Sequence, residues 1–266
     1  MLGKLIKHEF RATGRLILPM YAVVLLVSLF AHFAFRMLDR NMPIFIGLAL
    51  YLIVAAFFIG LIGAFVYTFV VMIVRFKRNV LSDEGYLTMT LPASIHSILW
   101  AKIIVSLVWS AGTVLVVVLS AVIAAFEVGW VVEALKDLGY LFELFFSYDN
   151  KASVLGWMLS IALYAVVSGI VGCLNVYSCM SIGYGFARNK VLWSIVAYFV
   201  IGIILGWMNG GGLQVLITLN ENVFTSETFN ENFYQNFTLL FGFQFLQGII
   251  FYVLTWWNLR YRLNLE

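Results

Sequence analysis

Along the chain, long apolar runs alternate with short polar interruptions. Six runs stand out, at 16–35, 44–74, 99–125, 154–186, 191–208 and 237–259. A helix rising 1.5 Å per residue needs about 20 apolar residues to cross the hydrocarbon core of a bilayer, and most of these runs meet or exceed that length. None shows the alternating ten-residue pattern of a barrel strand. In lipid, the helix is then the structure that satisfies every backbone group within its own segment. The pattern predicts an all-α membrane protein with six transmembrane helices in one domain covering 1–266. The runs at 44–74 and 154–186 are longer than ~30 Å of hydrocarbon requires, so they tilt or project as helix beyond the membrane. The run at 191–208 is short and meets Asn209-Gly210-Gly211-Gly212, which predicts a helix stop.

Charge sets the expected orientation. With the N-terminus inside, the inner segments carry Lys4, Lys7, Arg11, Arg15, Arg75, Lys77, Arg78, Lys102, Arg188, Lys190, Arg260 and Arg262, and the outer ones carry Arg36, Arg40, Lys136 and Lys151. This twelve-to-four bias follows the positive-inside rule and places both termini in the cytoplasm. Nine of the thirteen acidic residues fall on the outer side.

Three stretches between the runs have character of their own. Residues 1–13 set Leu2, Leu5, Ile6 and Phe10 near one face, away from Lys4, Lys7 and Arg11, which predicts an interfacial helix with a turn at Gly14; a plain extension of the first span is the alternative. Residues 75–98 form the one sizeable cytoplasmic loop, with a short apolar piece, Tyr86 to Leu91, ended by Pro92, and Ser94 set to cap the next helix. That apolar piece must dock, either on its own bundle or in a groove of a partner. On the outer side, 130–146 is an amphipathic segment, and 213–219 is apolar but too short to cross, either a re-entrant piece or a surface loop.

Composition agrees with the solvent read from the pattern. Hydrophobic residues make up 63% of the chain and charged ones 11%, with a mean hydropathy of +0.99, where a soluble domain carries about 25% charged residues. A net charge of +3 without a basic stacking platform gives no footprint for nucleic acid. Cys173 and Cys179 fall inside one apolar run and read as small buried thiols rather than a disulfide or metal pair. The basic start precedes an apolar run too long for a signal peptide's core, so the first span is expected to be retained.

Catalytic chemistry is not visible. No ionisable residue falls at the middle of a run, where charge is costly and kept for use. His32 lies near the outer end of the first span, and His8 and His96 lie at the inner interface. There is no HExxH, no GxSxG, no GxxxxGK[ST] and no metal-ligand set in the sequence. The spans carry neutral polarity instead. Ser168, Gly169, Gly172, Asn175, Ser178, Ser181, Gly183 and Gly185 mark the fourth, Gly202 and Gly206 the fifth, and Gln244 and Gln247 the sixth. Small residues at such spacing let helices approach closely. Asn175, Ser178, Gln244 and Gln247 serve either that packing or a polar translocation pathway, since an amide in hydrocarbon needs a partner.

The layout and two stretches carry a resemblance. The chain opens with Lys7-His8-Glu9-Phe10-Arg11-Ala12-Thr13-Gly14-Arg15. After the second span it reads Arg75-Phe76-Lys77-Arg78-Asn79, then Ser82-Asp83-Glu84-Gly85-Tyr86-Leu87 and Thr90-Leu91-Pro92-Ala93-Ser94. Over nearly its whole length it resembles the type-2 permeases of ABC transporters, and in particular the small permeases of Gram-positive bacteria. The resemblance implies an N-terminal elbow helix, outer re-entrant helices between spans five and six, and a coupling helix at about 81–91. The last would sit in a cleft of a cytoplasmic ATPase through Arg75, Arg78, Asp83, Glu84, Gly85, Tyr86, Leu87, Leu91 and Pro92. It also implies a dimer with a second copy or a paralogue in a bacterial cytoplasmic membrane. Two separate ATPase subunits would hold the ATP and magnesium, and this chain would hold no cofactor of its own. The expected activity is export of hydrophobic or amphipathic cargo, a toxin or antimicrobial peptide first, with lipid or drug efflux and a non-transporting scaffold or regulatory subunit as alternatives.

Overall fold

A computed structural model describes residues 2–38, 43–82, 85, 94–126, 133, 136–137, 139–140, 151–186, 188–219 and 229–261. Among these residues the secondary structure is helical, without strands. The helices are α1 (Leu2–Leu38), α2 (Ile44–Phe76), α3 (Ile95–Ala124), α4 (Lys151–Gly183), α5 (Lys190–Leu219) and α6 (Phe229–Tyr261), and α2 continues into one π-helical turn, Lys77–Leu81. Each is long and apolar enough to cross a membrane. Their outward faces bear large exposed apolar side chains such as Phe45, Ile59, Ile62, Phe199 and Ile203, a surface that suits lipid and not water.

Two expected breaks are absent. Helix α1 runs unbroken through Gly14, so the first thirteen residues are not a separate interfacial helix. Gly14 instead admits the Trp109 indole, whose Cζ2 would lie 3.4 Å from an added Cβ. Helix α5 likewise runs through Asn209-Gly210-Gly211-Gly212 to Leu219. The expected stop does not occur, and 213–219 is the end of a 30-residue helix rather than a re-entrant piece or a loop. Glycine permits a helix stop without compelling one, at a cost of only about 1 kcal/mol each within a helix, and here the helix continues through all three. The amphipathic stretch at 130–146 lies largely outside the described residues.

The chain divides into two compact units. The first comprises Met1–Val74 and Ile104–Asp149. Its buried positions recur every seven residues: Ile17, Val24 and Ala31 on α1, Leu50, Phe57, Ala64 and Val71 on α2, and Ser106, Thr113 and Ser120 on α3. That repeat keeps one stripe of each helix facing its neighbours, as in left-handed supercoiled bundles. The stripes meet in two apolar clusters, one of Ile17, Tyr21 and Val71 and one of Ala31, Phe57 and Ala124.

The second unit comprises Arg75–Ile103 and Asn150–Glu266. Helix α4 packs against both α5 and α6. Gln244 meets Ser168 and Asn258 meets Ser181, at sequence separations of 76 and 77. A nearly constant offset means that α4 and α6 run parallel, as the fourth and sixth passes of an alternating bundle must. A tight turn joins α4 to α5. In it Asn189 takes a left-handed conformation (φ 57°), Phe186 stacks on Trp193 at 4.8 Å, and the backbone of Ser194 occupies the space a Cβ on Gly183 would need.

Candidate functional site

The second unit takes in both stems of the loop that follows α2. The descending stem ends with Phe76, which is 1% exposed and stacks face to face on Tyr177 of α4, with centroids 4.0 Å apart and planes 11° apart. The π-helical turn follows at once and buries Val80 and Leu81. Such a turn widens the backbone ladder and recurs at functional sites. Ser82 is extended, and Gly85 closes a turn by donating its N–H to the Ser82 carbonyl at 2.6 Å. Glycine is required there, because an added Cβ would lie 2.8 Å from the Val80 carbonyl carbon and closer still to its oxygen.

The ascending stem begins at Ser94, whose hydroxyl accepts the Ser97 N–H at 3.3 Å as an N-cap does. His96 then packs against α6: its Nδ1 shares a hydrogen bond with the Tyr252 hydroxyl, and its ring stacks on Tyr252 and Trp256, each at 5.8 Å. Ile98, Leu99, Ala101 and Lys102 of the next turns are buried. One stem is thereby fastened to α4 and the other to α6.

Of the sequence-predicted coupling residues, Arg75, Arg78 and Gly85 lie on these stems, and Asp83, Glu84, Tyr86, Leu87, Leu91 and Pro92 lie outside the described residues. The four pathway residues lie on α4 and α6 of the second unit. The Asn175 side chain accepts from the Cys179 thiol at 3.4 Å, while its carbonyl accepts from the Ser178 hydroxyl at 2.8 Å. Gln244 Nε2 donates to Ser168 Oγ at 3.5 Å, and Gln247 is buried. Asn258, which the sequence reading passed over, donates from Nδ2 to Ser181 Oγ at 3.3 Å. Gln244–Ser168 and Asn258–Ser181 cross between α4 and α6, the use of amides and hydroxyls that ties helices in lipid, while the bonds of Asn175 and Ser178 stay within α4. Both cysteines are free thiols, and no metal-ligand cluster occurs among the described residues.

The first unit holds a polar network that sequence reading missed. Trp109 Nε1–H donates to Thr13 Oγ1 at 2.8 Å, and Thr13 in turn donates to the Glu9 carbonyl at 2.7 Å. Thr113 Oγ1 lies 2.9 Å from the hydroxyls of both Tyr21 and Thr68, and 2.9 Å from the Trp109 carbonyl. This chain joins α1, α2 and α3 inside the apolar layer. Of its members, Thr113 keeps the seven-residue phase of the buried positions Ser106, Thr113 and Ser120 on α3, and that phase is the part of the network visible in the sequence.

Comparison with protein-family models, with curated proteins and with solved structures gives no match to this chain.

Proposed function

We propose that this chain is the membrane-spanning permease subunit of an ATP-driven exporter, with both termini in the cytoplasm and a separate ATPase gripping the loop after α2. The observation that carries the reading is the fastening of that loop's stems: Phe76 on Tyr177, and His96 on Tyr252 and Trp256. A close-packed interior transmits displacement rather than absorbing it. A push on 83–93 therefore reaches α4 through one stem and α6 through the other. Those two helices are linked by Gln244–Ser168 and Asn258–Ser181, so they shift as one body. Nucleotide binding on the partner supplies the bias between two arrangements of that body. The described polar groups between α4 and α6 are neutral amides and hydroxyls, which suits hydrophobic or amphipathic cargo, a peptide first and a lipid or drug second.

A second reading is a non-transporting scaffold or regulatory subunit. Its support is that Gln244 and Asn258 are paired as helix-to-helix ties. Purification of the chain from its native membrane with its bound partners separates the two. The exporter reading expects a co-purifying ATPase with a P-loop, and expects Glu84→Arg and Tyr86→Ala to detach it or to abolish cargo-stimulated hydrolysis. No such subunit, or hydrolysis unchanged in both variants, defeats it. Transport that persists without ATP and follows an ion gradient would assign the chain to a different class.

A further inference from the structure

At the end of the second unit where α3 begins and α6 stops, five aromatic side chains gather: Trp100, Tyr252, Trp256, Trp257 and Tyr261. The apolar stretch of α6 runs from Leu240 to Tyr261, so these rings sit where the hydrocarbon layer gives way to headgroups. Trp and Tyr favour that depth because one end of each ring system is apolar and the other can be wet. Within this belt the Arg260 guanidinium lies over the Trp256 ring at 5.2 Å and over the Tyr261 ring at 5.3 Å. His96 stacks on the same Trp256 ring with planes 14° apart.

A guanidinium held over an aromatic face by the ring quadrupole keeps N–H edges for another ligand. Those edges match the paired oxygens of a phosphate. Arg260 is exposed and has no acidic partner among the described residues. With Nδ1 of His96 engaged by Tyr252, Nε2 is the ring nitrogen that remains for a ligand. The surroundings favour an anion. The same end of the unit carries Arg75, Lys77, Arg78, Arg188 and Lys190. The carbonyl end of α6 alone would repel a phosphate, but His96 lies in the first turn of α3, whose N-terminal dipole has the opposite sign.

We propose that Arg260, held on Trp256 and Tyr261 beside His96, binds the phosphate headgroup of an anionic phospholipid and anchors this end of α6 and α3 in one leaflet. The site does not depend on the exporter reading.

Native mass spectrometry of the delipidated full-length protein, titrated with phosphatidylglycerol or phosphatidylcholine of identical acyl chains, tests it. The first bound lipid should show tighter binding for phosphatidylglycerol, weakening as salt is added. Arg260→Gln should lower that affinity roughly fivefold to tenfold, as expected for one cation at an anionic surface. His96→Gln should lower it in the same direction. Arg188→Gln, a charge at the same end but outside the belt, should change it less than about twofold. Equal losses for Arg188→Gln and Arg260→Gln would reduce the site to a diffuse basic rim and overturn the proposal. So would equal affinity of the wild type for the two lipids, a result that needs no variant to fold. Displacement of phosphatidylglycerol by millimolar inorganic phosphate would mean a free-anion site, and would overturn it as well.

Discussion

If the loop stems are fastened as described, Phe76→Ala should be among the most damaging apolar substitutions in the chain. Phe76 closes α2 with 1% of its surface exposed and its ring stacked on Tyr177. A buried Phe→Ala change costs about 3–5 kcal/mol in a soluble core, part of it transfer and part of it cavity. A helix that stays in lipid when the fold opens loses less of the transfer part, because lipid tails are as apolar as a core. The expected loss is therefore about 2–4 kcal/mol. Phe76→Leu keeps most of the volume and forfeits the aromatic pairing, about 0.5–1.5 kcal/mol. Ile59→Ala, on the same helix but 69% exposed, should stay within about 0.5 kcal/mol. Unfolding in mixed dodecyl maltoside and SDS micelles, followed by circular dichroism, gives the global values. A local readout comes from trypsin, since Lys77 and Arg78 follow directly in the sequence. Cleavage there tracks the population in which the stem has opened, so a loss of about 3 kcal/mol should raise its rate by about a hundredfold. If Phe76→Ala matches Ile59→Ala in both assays, the descending stem is not held by α4, and the lever argument for the function fails with it.

Three further outcomes follow from the packing. Thr113→Val should cost only about 0.6–1.7 kcal/mol by the same micelle titration, the range of one interhelical hydrogen bond in a membrane, because Tyr21 and Thr68 can each turn their proton to the carbonyls of Trp109 and Ala64, both 2.9 Å away; a loss above 3 kcal/mol refutes that fallback. Gly183→Ala should destabilise by about 1–3 kcal/mol through collision with the Ser194 backbone, whereas Gly202→Ala and Gly206→Ala, with nothing within 4 Å of the added methyl, should be neutral or stabilise by about 0.4–1 kcal/mol; a reversed order in thermal denaturation refutes the close approach of α5 to α4. Maleimide should leave the buried Cys179 unmodified in detergent until SDS unfolds the chain, with no reducing agent needed to expose either thiol; mass spectrometry showing a Cys173–Cys179 bridge contradicts the free-thiol assignment.

The six spans were legible because bilayer thickness is an external ruler. Any sequence that must cover ~30 Å of hydrocarbon with helix declares its length in consecutive apolar residues. The departures fall at glycines, because a glycine admits several uses and the local sequence does not say which. Asn209-Gly210-Gly211-Gly212 has the composition of a helix stop, yet α5 continues to Leu219. Gly14, between a basic amphipathic segment and an apolar run, fits a turn equally well. Its actual use is steric, since it lets the Trp109 indole lie against α1.

The candidate site was legible in proportion to how local its signal is. Residues 75–98 stand out in the sequence as the sizeable loop between two apolar runs, and the structure adds what no local pattern holds: which helices the two stems grip. Phe76 and Tyr177 are about a hundred residues apart, and His96 and Tyr252 are separated by 156. Nothing in either stem names its partner. The same limit explains the missed network of Thr13, Tyr21, Thr68, Trp109 and Thr113. A hydroxyl in an apolar run can satisfy itself on its own helix, as Ser28 does on the Leu25 carbonyl and Thr255 on the Phe251 carbonyl. Composition alone cannot separate such a residue from one that reaches across. Phase narrows the choice without settling it. Ser106, Thr113 and Ser120 repeat at seven residues, in step with Leu50, Phe57, Ala64 and Val71 on α2, so they share the face turned away from lipid. Yet Ser120 bonds the Val117 carbonyl of its own helix, while Thr113 reaches Tyr21 and Thr68, because a hydroxyl on the neighbouring helix meets it only there. An Ala scan of α3 should therefore cost more at Trp109 and Thr113 than at the exposed Val114, Leu115, Val118 and Leu119.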